Sequence, residues 1–336
     1  MITKFIKRIL RRDPMVRHTA VHTSGAPKRI PKKSHRIDPH LLSKNAVKVT
    51  QTLQQAGYDA FIVGGAVRDL ALGIGPKDFD VATNATPEQV QKLFRKARLI
   101  GRRFQIVHVT FFGKGQPEII EVSTFRALLE NAGEHVAENG RILRDNVWGS
   151  QHEDAARRDF SINAMYYDPA TETVLDYHGG MADMQKKTLR MIGDPAKRYR
   201  EDPIRMLRAV RFAAKTGFTL DAATRAPIAK LGKLIHDVPS ARLFDEILKL
   251  LMSGYSWAAI QGLKDAGLHH GLLPLLDHIL DKSADSKEAN DFVRIALANT
   301  DQRIQSGKSV SAGFLFATLL WPDLLSNWKK NIAKGI

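Results

Sequence analysis

Two aspartates separated by one residue carry the strongest chemical signal in the sequence. Asp78 and Asp80 lie in the run Lys-Asp-Phe-Asp-Val at residues 77–81, part of which is predicted to be a strand. Alternate residues of a strand project from one face about 7 Å apart, so both carboxylates would face the same ligand. Such a pair is suited to bind a hard divalent cation, Mg²⁺ or Mn²⁺. The alternative is an exposed strand edge with two hydrated acids.

A glycine pair that precedes these acids is suited to phosphate binding. Gly64 and Gly65 follow an apolar strand and open a helix that contains Arg68. Glycine lets the main chain approach a ligand closely, and the first amides of a helix can bind phosphate. Arg68 would add guanidinium donors to the same phosphate oxygens. The alternative is a tight strand-to-helix connection without a ligand.

The composition favours a polyanionic partner. The 336 residues include 51 Lys and Arg against 35 Asp and Glu, which gives a net charge of +16, and the chain has no cysteine. A basic surface gains binding energy when it displaces counterions from phosphates, so nucleic acid is the predicted partner. The alternative is a basic surface without one. No apolar run reaches the roughly 18 residues of a membrane span, and we expect a cytoplasmic location.

Element patterns divide the chain into four predicted parts. A basic flexible arm covers residues 1–38. Short strands and helices over 39–178 predict an α+β head, with a small mixed sheet, flanking helices and a mobile loop at 127–146. Helical patterns then predict an all-α neck at 179–250 and an all-α body at 251–336. Within the head, strands are predicted at residues 59–63, 78–82, 106–112, 118–124, 164–167 and 173–176, and helices at residues 66–72 and 87–96.

The motifs together resemble a known family. Gly-Gly-x-Val-Arg-Asp-x-x-Leu-Gly at residues 64–73, followed by Lys-Asp-Phe-Asp at 77–80, is similar to the signature of class II nucleotidyltransferases of the DNA polymerase β superfamily. That class comprises bacterial poly(A) polymerases and CCA-adding enzymes. The resemblance covers roughly residues 60–250. Three further motifs follow in the family's order, at residues 121–126, 157–163 and 201–212.

The resemblance implies template-independent transfer of a nucleotide from a nucleoside triphosphate to the 3′ end of RNA. Asp78 and Asp80 would hold two Mg²⁺ ions, Glu121 would be a third metal ligand, and Asp159 would be a further essential acid. The incoming nucleotide would contact a set of glycines, cations and polar residues: Gly64, Gly65, Arg68, Arg158, Asn163, Asp202, Arg205 and Arg208.

Asp202 and Arg205 would read the edge of the base, which would replace a template. They are spaced i, i+3 and would share a helix face. The alternative is structural: Asp202 precedes Pro203, so it could cap the next helix, and it could form a salt bridge with Arg205. Both roles can also coexist, because a capped helix end would fix the carboxylate.

Two segments favour ATP as the substrate. Residues 99–109 resemble a stretch that marks bacterial poly(A) polymerases, and residues 239–249 resemble their neck. We therefore predict an adenylyltransferase that extends RNA 3′ ends, with base recognition in the neck and RNA binding in the body; its helper proteins are unknown. The alternatives are CCA addition to tRNA and an RNA-binding protein with a decayed transferase head. Bacterial poly(A) polymerases continue well beyond 336 residues, so we expect a fragment or a shortened relative.

Overall fold

The acids and glycines lie in or next to the strands of one mixed β-sheet. The computed structural model of the protein describes residues 25–101, 105–113, 116–128, 147–270, 272 and 287–335. The sheet has eight strands: β1 (Lys28–Pro31), β2 (Ala60–Val63), β3 (Asp80–Thr83), β4 (Ala97–Ile100), β5 (Ile106–Phe111), β6 (Glu118–Thr124), β7 (Met165–Asp168) and β8 (Thr173–Asp176). Their order is β1-β8-β7-β2-β3-β6-β5-β4. Neighbours pair antiparallel except β3 and β6, which run parallel.

Helices cover the two faces of this sheet unequally. The head contains α1 (Lys32–His35), α2 (Lys44–Gln55), α3 (Gly65–Ala71), α4 (Pro87–Leu93), α5 (Gln151–Arg157) and α6 (Gly180–Gln185), with 3₁₀ turns at Pro39–Leu41 and Ser161–Asn163. Helices α2, α3 and α4 contact the strands on one side, where Ile62, Val81 and Val122 are buried. On the other face Ala155 of α5 packs with Val63 and neighbouring aromatic rings. The rest of that face is free to carry polar groups.

A helical region follows the head. It contains α7 (Pro195–Glu201), α8 (Ile204–Thr216), α9 (Ala222–Arg225), α10 (Ile228–Leu231), α11 (Ser240–Leu251), α12 (Ser256–Asp265), α13 (Lys287–Gln305) and α14 (Ala312–Ala333), a 3₁₀ turn at Gly232–Asp237, and the short parallel pair β9 (Thr188–Leu189) and β10 (Thr219–Leu220). Helix α8 packs against α11 and α12. The predicted fold class, an α+β head followed by helices, is therefore confirmed. The exact domain limits stay predictions.

Several local predictions were wrong. Asp78 precedes β3, which begins at Asp80, so the two acids do not share a strand. Part of the predicted flexible arm is ordered, since β1 pairs with β8 and Ile30 is buried. The helix predicted over residues 87–96 ends at Leu93, because Phe94 adopts an extended backbone, and the edge strand β4 follows.

Some predictions concern parts of the chain outside the described residues. These are residues 1–24 of the basic arm, most of the predicted loop at 127–146, and residues 102–104 of the segment typical of poly(A) polymerases. Within the described ranges, no helix is long and apolar enough to cross a membrane.

Candidate active site

Three carboxylates lie near one another at the start of β3. Asp80 is the first residue of that strand, it pairs in register with Glu121 of β6, and Asp78 lies two residues before it. Burial, Glu121 and Asp78 raise the pKa of Asp80 from 3.8 to about 6, while Arg158 opposes this shift. A divalent cation would relieve the repulsion between these acids, and carboxylate oxygens are hard ligands that suit one.

The assignment of metal ligands among these three carboxylates stays a prediction. Within the described ranges, no three His, Cys, Asp or Glu side chains form a group arranged to hold a metal ion. The side chain of Glu121 is 50% exposed, and its Oε1 lies 3.4 Å from His108 Nε2. Glu121 as a third metal ligand therefore stays a prediction.

Gly64 brings the turn between β2 and α3 close to Asp80. Its φ of 72° lies in the region that favours glycine, and it forms the N-cap of α3. A Cβ atom at this position would lie 3.4 Å from Arg158 Nη1 and 3.7 Å from Asp80 Oδ2. The sequence prediction of a glycine that permits a close main-chain approach is consistent with this geometry, and the groups approached are Asp80 and Arg158.

Arg68 is held by protein groups. The residue is 2% exposed, its Nε donates to Asp69 Oδ1 at 2.8 Å, and its Nη1 donates to Asn163 Oδ1 at 2.7 Å. Asp69 also accepts a hydrogen bond from Lys215 Nζ at 2.7 Å. The guanidinium therefore links α3 to the 3₁₀ turn at Ser161–Asn163 and, through Asp69, to α8. Arg68 still lines the cleft, so a phosphate contact would add to this role.

Asp159 is engaged through both carboxylate oxygens. Its Oδ2 accepts from Arg208 Nε at 2.8 Å and Nη2 at 2.6 Å, and its Oδ1 accepts from the amide of Phe160 at 2.7 Å and from Asn163 Nδ2 at 3.1 Å. Burial alone would raise the pKa of Asp159, but Arg208 and the hydrogen bonds lower it to about 2. This geometry favours a role in positioning Arg208 and Asn163 over one as a metal ligand.

Asp202 and Arg205 have partners that the sequence did not predict. Asp202 is the C-cap of α7, Pro203 is the N-cap of α8, and Asp202 Oδ2 accepts from Arg242 Nη2 at 2.7 Å. Arg205 Nη1 donates to Glu201 Oε2 at 3.0 Å. The alternative of an N-cap with an Asp202–Arg205 salt bridge is therefore wrong. Asp202 Oδ1 is buried and has no hydrogen-bond partner, so it can accept one from a ligand.

One cleft of about 690 Å³ collects nearly all the predicted site residues. Its volume lies in the range of small-molecule sites. Glu121 instead lines a smaller cavity of about 310 Å³ next to it, together with Asp154 and three arginines. The predicted residues that line the larger cleft are Gly64, Gly65, Arg68, Asp78, Asp80, Arg158, Asp159, Asn163, Asp202, Arg205 and Arg208.

Sequence reasoning missed most of the cleft wall that comes from the helical region. Arg211, expected to extend the row of cations that begins at Arg205 and Arg208, does line the cleft. Lys215 of α8 was open to prediction, because it continues the same helical spacing. Arg242 carried no such signal, because it lies 40 positions from its partner Asp202. The missed lining residues are Ile204, Phe212, Lys215, Arg242, Asp245, Glu246 and Lys249.

Comparisons with known proteins agree with this geometry. Residues 60–190 match the family described as "Poly A polymerase head domain", and residues 217–280 match "Probable RNA and SrmB- binding site of polymerase A". The chain is 46% identical over 334 residues to poly(A) polymerase I of Escherichia coli O6:H1, which covers 98% of this chain and 70% of the relative. A CCA-adding enzyme of Bacillus velezensis is 38% identical over 66% of this chain and 54% of its own length.

The fold is also shared with a solved structure. The CCA-adding enzyme of Bacillus stearothermophilus, solved in complex with CTP, superimposes with a TM-score of 0.60 at 27% identity, over 84% of this chain and 82% of that one. The high identity to poly(A) polymerase I extends across the head and the helical region. The chain thus belongs to the poly(A) polymerase family of nucleotidyltransferases.

Proposed function

We propose that the protein is a template-independent polynucleotide adenylyltransferase, which adds AMP from ATP to the 3′ ends of RNA. The observation that carries this proposal is the single cleft that joins the aspartate pair to the glycine turn and to the cations of α8. Adenylate addition is favoured over CCA addition because identity to poly(A) polymerase I extends over 98% of the chain, against 66% for the CCA-adding enzyme. A cytoplasmic location stays a prediction.

In the proposed reaction the RNA 3′-oxygen forms a bond to the α-phosphorus of ATP. The bond to pyrophosphate breaks, and the hydroxyl proton is lost to solvent. Asp78 and Asp80 would hold Mg²⁺, with Mn²⁺ as a substitute, and the bound metal would supply charge neutralisation and lower the pKa of the attacking hydroxyl. Two further cations of the cleft wall, Arg208 and Lys215, would balance the charge of the triphosphate.

The unpartnered oxygen of Asp202 supports recognition of the adenine base. Oδ1 of this residue is buried without a hydrogen bond, which is unfavourable until a donor arrives. The exocyclic amine of adenine is such a donor. Arg205 lies in the same cleft and would donate to a ring nitrogen through an N–H group that Glu201 does not use.

The smaller cavity is suited to the RNA 3′ end. Only Asp80 and Arg158 line both cavities among the residues described, so the α-phosphorus of a nucleotide in the larger cleft would lie at their junction, within reach of a hydroxyl in the smaller cavity. Arg126 and Arg157 also line the smaller cavity, and their guanidinium groups are suited to the phosphates of an RNA backbone.

A primer-extension assay tests the proposal. The protein is mixed with Mg²⁺, an unstructured RNA primer or a tRNA without its terminal CCA, and each nucleoside triphosphate singly or together. We expect extension of both RNAs with ATP alone. Addition that stops after CCA on the tRNA would support the alternative enzyme, and no incorporation would support an RNA-binding protein.

Two variants separate chemistry from folding in this assay. Asp80→Asn should abolish incorporation, because the amide cannot replace a carboxylate metal ligand. Asp265→Asn is the matched control, since Asp265 is an exposed acid on α12 far along the chain from the site, and it should retain wild-type activity. Equal activity of the two variants would contradict the proposed role of Asp80.

A further inference from the structure

Three polar side chains form a buried group behind Asp80. Tyr166 of β7 donates from its phenolic oxygen to Asp154 Oδ2 at 2.6 Å. Arg158, which ends α5, donates from Nη2 to the same carboxylate oxygen at 3.0 Å and from Nε to the Tyr166 phenol at 3.2 Å. The family motifs identified in the sequence include Arg158 but neither Asp154 nor Tyr166.

This group is well buried. Asp154 is 6% exposed, and Tyr166 is fully buried among the rings of Phe61, Phe125 and Tyr177. Burial raises the pKa of Asp154, but Arg158 and the phenol outweigh that effect and hold the pKa below its usual value. A buried charge pair is sensitive to the loss of any one partner. The carboxylate of Asp154 and the phenol of Tyr166 thus both hold the guanidinium group of Arg158.

The remaining edge of Arg158 lies where the two cavities meet. Nε and Nη2 are engaged by Tyr166 and Asp154, whereas Nη1 lies beside the turn at Gly64, the same turn that approaches Asp80 Oδ2. Arg158 and Asp80 line both the 690 Å³ cleft and the 310 Å³ cavity. A guanidinium group in this place can contact an oxygen of the phosphate that reacts.

We propose that Asp154 and Tyr166 are positioning residues that hold Arg158 at the junction of the two cavities, with Nη1 directed to the reacting phosphate. The inference rests on the proposed function, because that function places the α-phosphate of ATP at this junction. The phenol accepts from Nε, and Asp154 Oδ2 accepts from both Nε and Nη2, so the guanidinium plane cannot rotate without breaking a buried hydrogen bond.

Tyr166→Phe tests the positioning role with little change in packing. Phenylalanine keeps the ring contacts and removes only the phenol oxygen, which accepts from Arg158 and donates to Asp154. The matched control is Tyr177→Phe, since Tyr177 belongs to the same group of rings and its phenol donates to Gln151 Oε1 at 2.8 Å, away from Arg158. Thermal unfolding of both variants shows whether either one fails to fold.

We expect Tyr166→Phe to lower kcat/KM for ATP about 10-fold, and to weaken ATP binding in calorimetry without RNA about 5-fold, since hydrogen bonds to charged groups have effects of this size. Tyr177→Phe should stay within about 2-fold of wild type in both measurements. Equal effects of the two variants would overturn the positioning role.

A double-mutant cycle with Arg158→Ala distinguishes action through Arg158 from a general structural effect. If Tyr166 acts through Arg158, adding Tyr166→Phe to Arg158→Ala should change kcat/KM and ATP affinity by less than about 2-fold. A full 10-fold further loss would refute the inference. The calorimetric measurement of ATP binding separates this inference from the proposed function. If wild type binds ATP but incorporates no nucleotide, the proposed function fails. Weaker ATP binding by Tyr166→Phe than by Tyr177→Phe would then still support the positioning of Arg158.

Discussion

The two central aspartates of the cleft should respond to neutralisation in opposite directions. Folding raises the pKa of Asp80 from 3.8 to about 6, mainly through burial and Glu121. It lowers the pKa of Asp159 to about 2, because Arg208 and Asn163 outweigh burial. At pH 7 both are ionised, so the charge on Asp80 destabilises the metal-free fold and the charge on Asp159 stabilises it.

The pKa values set the size of each effect. A tenfold change in proton affinity corresponds to about 1.4 kcal/mol. The fall from 3.8 to about 2 at Asp159 therefore contributes about 2–3 kcal/mol of stability, present above pH 3.8 and lost as the pH falls toward 2. The rise to about 6 at Asp80 gives at most about 3 kcal/mol, and solvent screening of this partly exposed group reduces it to about 1–2 kcal/mol.

Urea unfolding at pH 7 in the presence of a chelator measures both changes. We expect Asp159→Asn to lose about 2–3 kcal/mol in free energy of unfolding, and Asp80→Asn to gain about 1–2 kcal/mol. Added Mg²⁺ should stabilise wild type and leave Asp80→Asn unchanged. The control Asp265→Asn should stay within about 0.5 kcal/mol of wild type. The same direction of change for both site variants would refute the electrostatic reasoning.

Three further substitutions test other parts of the structure. Arg242→Ala removes an ion pair to Asp202 from a side chain that is 51% exposed, so KM for ATP should rise about two- to five-fold in steady-state kinetics, and an unchanged KM would contradict this. Burial lowers the pKa of His178 from 6.5 to about 4, so stability should fall as the pH drops through that window, and His178→Gln should flatten the fall in urea titrations. Gly180→Ala places a Cβ atom 2.5 Å from the carbonyl oxygen of Ser161, and the melting temperature should report a loss of about 1–3 kcal/mol; wild-type stability would refute the clash.

Much of the sheet could be predicted from local pattern. The strands at 118–124 and 173–176 begin and end at the predicted residues, because β-branched runs there alternate with polar residues between clear turns. The acid pair was identified from residue type and spacing. The assumption that both acids lie in one strand was wrong for Asp78. Asp78 lies before β3, and proximity to Asp80 along the chain was enough to place both acids in one cleft.

Long-range partners could not be predicted in the same way. Asp69 and Lys215 are separated by 146 positions, and nothing local to either residue indicates that they meet. Arg68 was predicted to bind phosphate because it lies near the start of a helix after a glycine turn, where its donors could reach the same oxygens as the helix amides. The local sequence cannot show that Asn163 and Asp69 already accept hydrogen bonds from the guanidinium group of Arg68. The ion pair of Asp154 with Arg158 was open to prediction from its i, i+4 spacing, but it was not predicted.

The motif residues also fix the helical region against the head. Lys215 of α8 binds Asp69, Asp69 binds Arg68, and Arg68 binds Asn163. Asn163 in turn binds Asp159, which returns to α8 through Arg208. This chain of charged and amide groups starts at Lys215 of α8 and returns to the same helix at Arg208, seven residues away. It therefore constrains both the distance of α8 from the head and the tilt of the helix. Because α8 supplies one wall of the cleft and the sheet supplies the other, the width available to a nucleotide depends on these contacts as much as on the groups that touch the nucleotide.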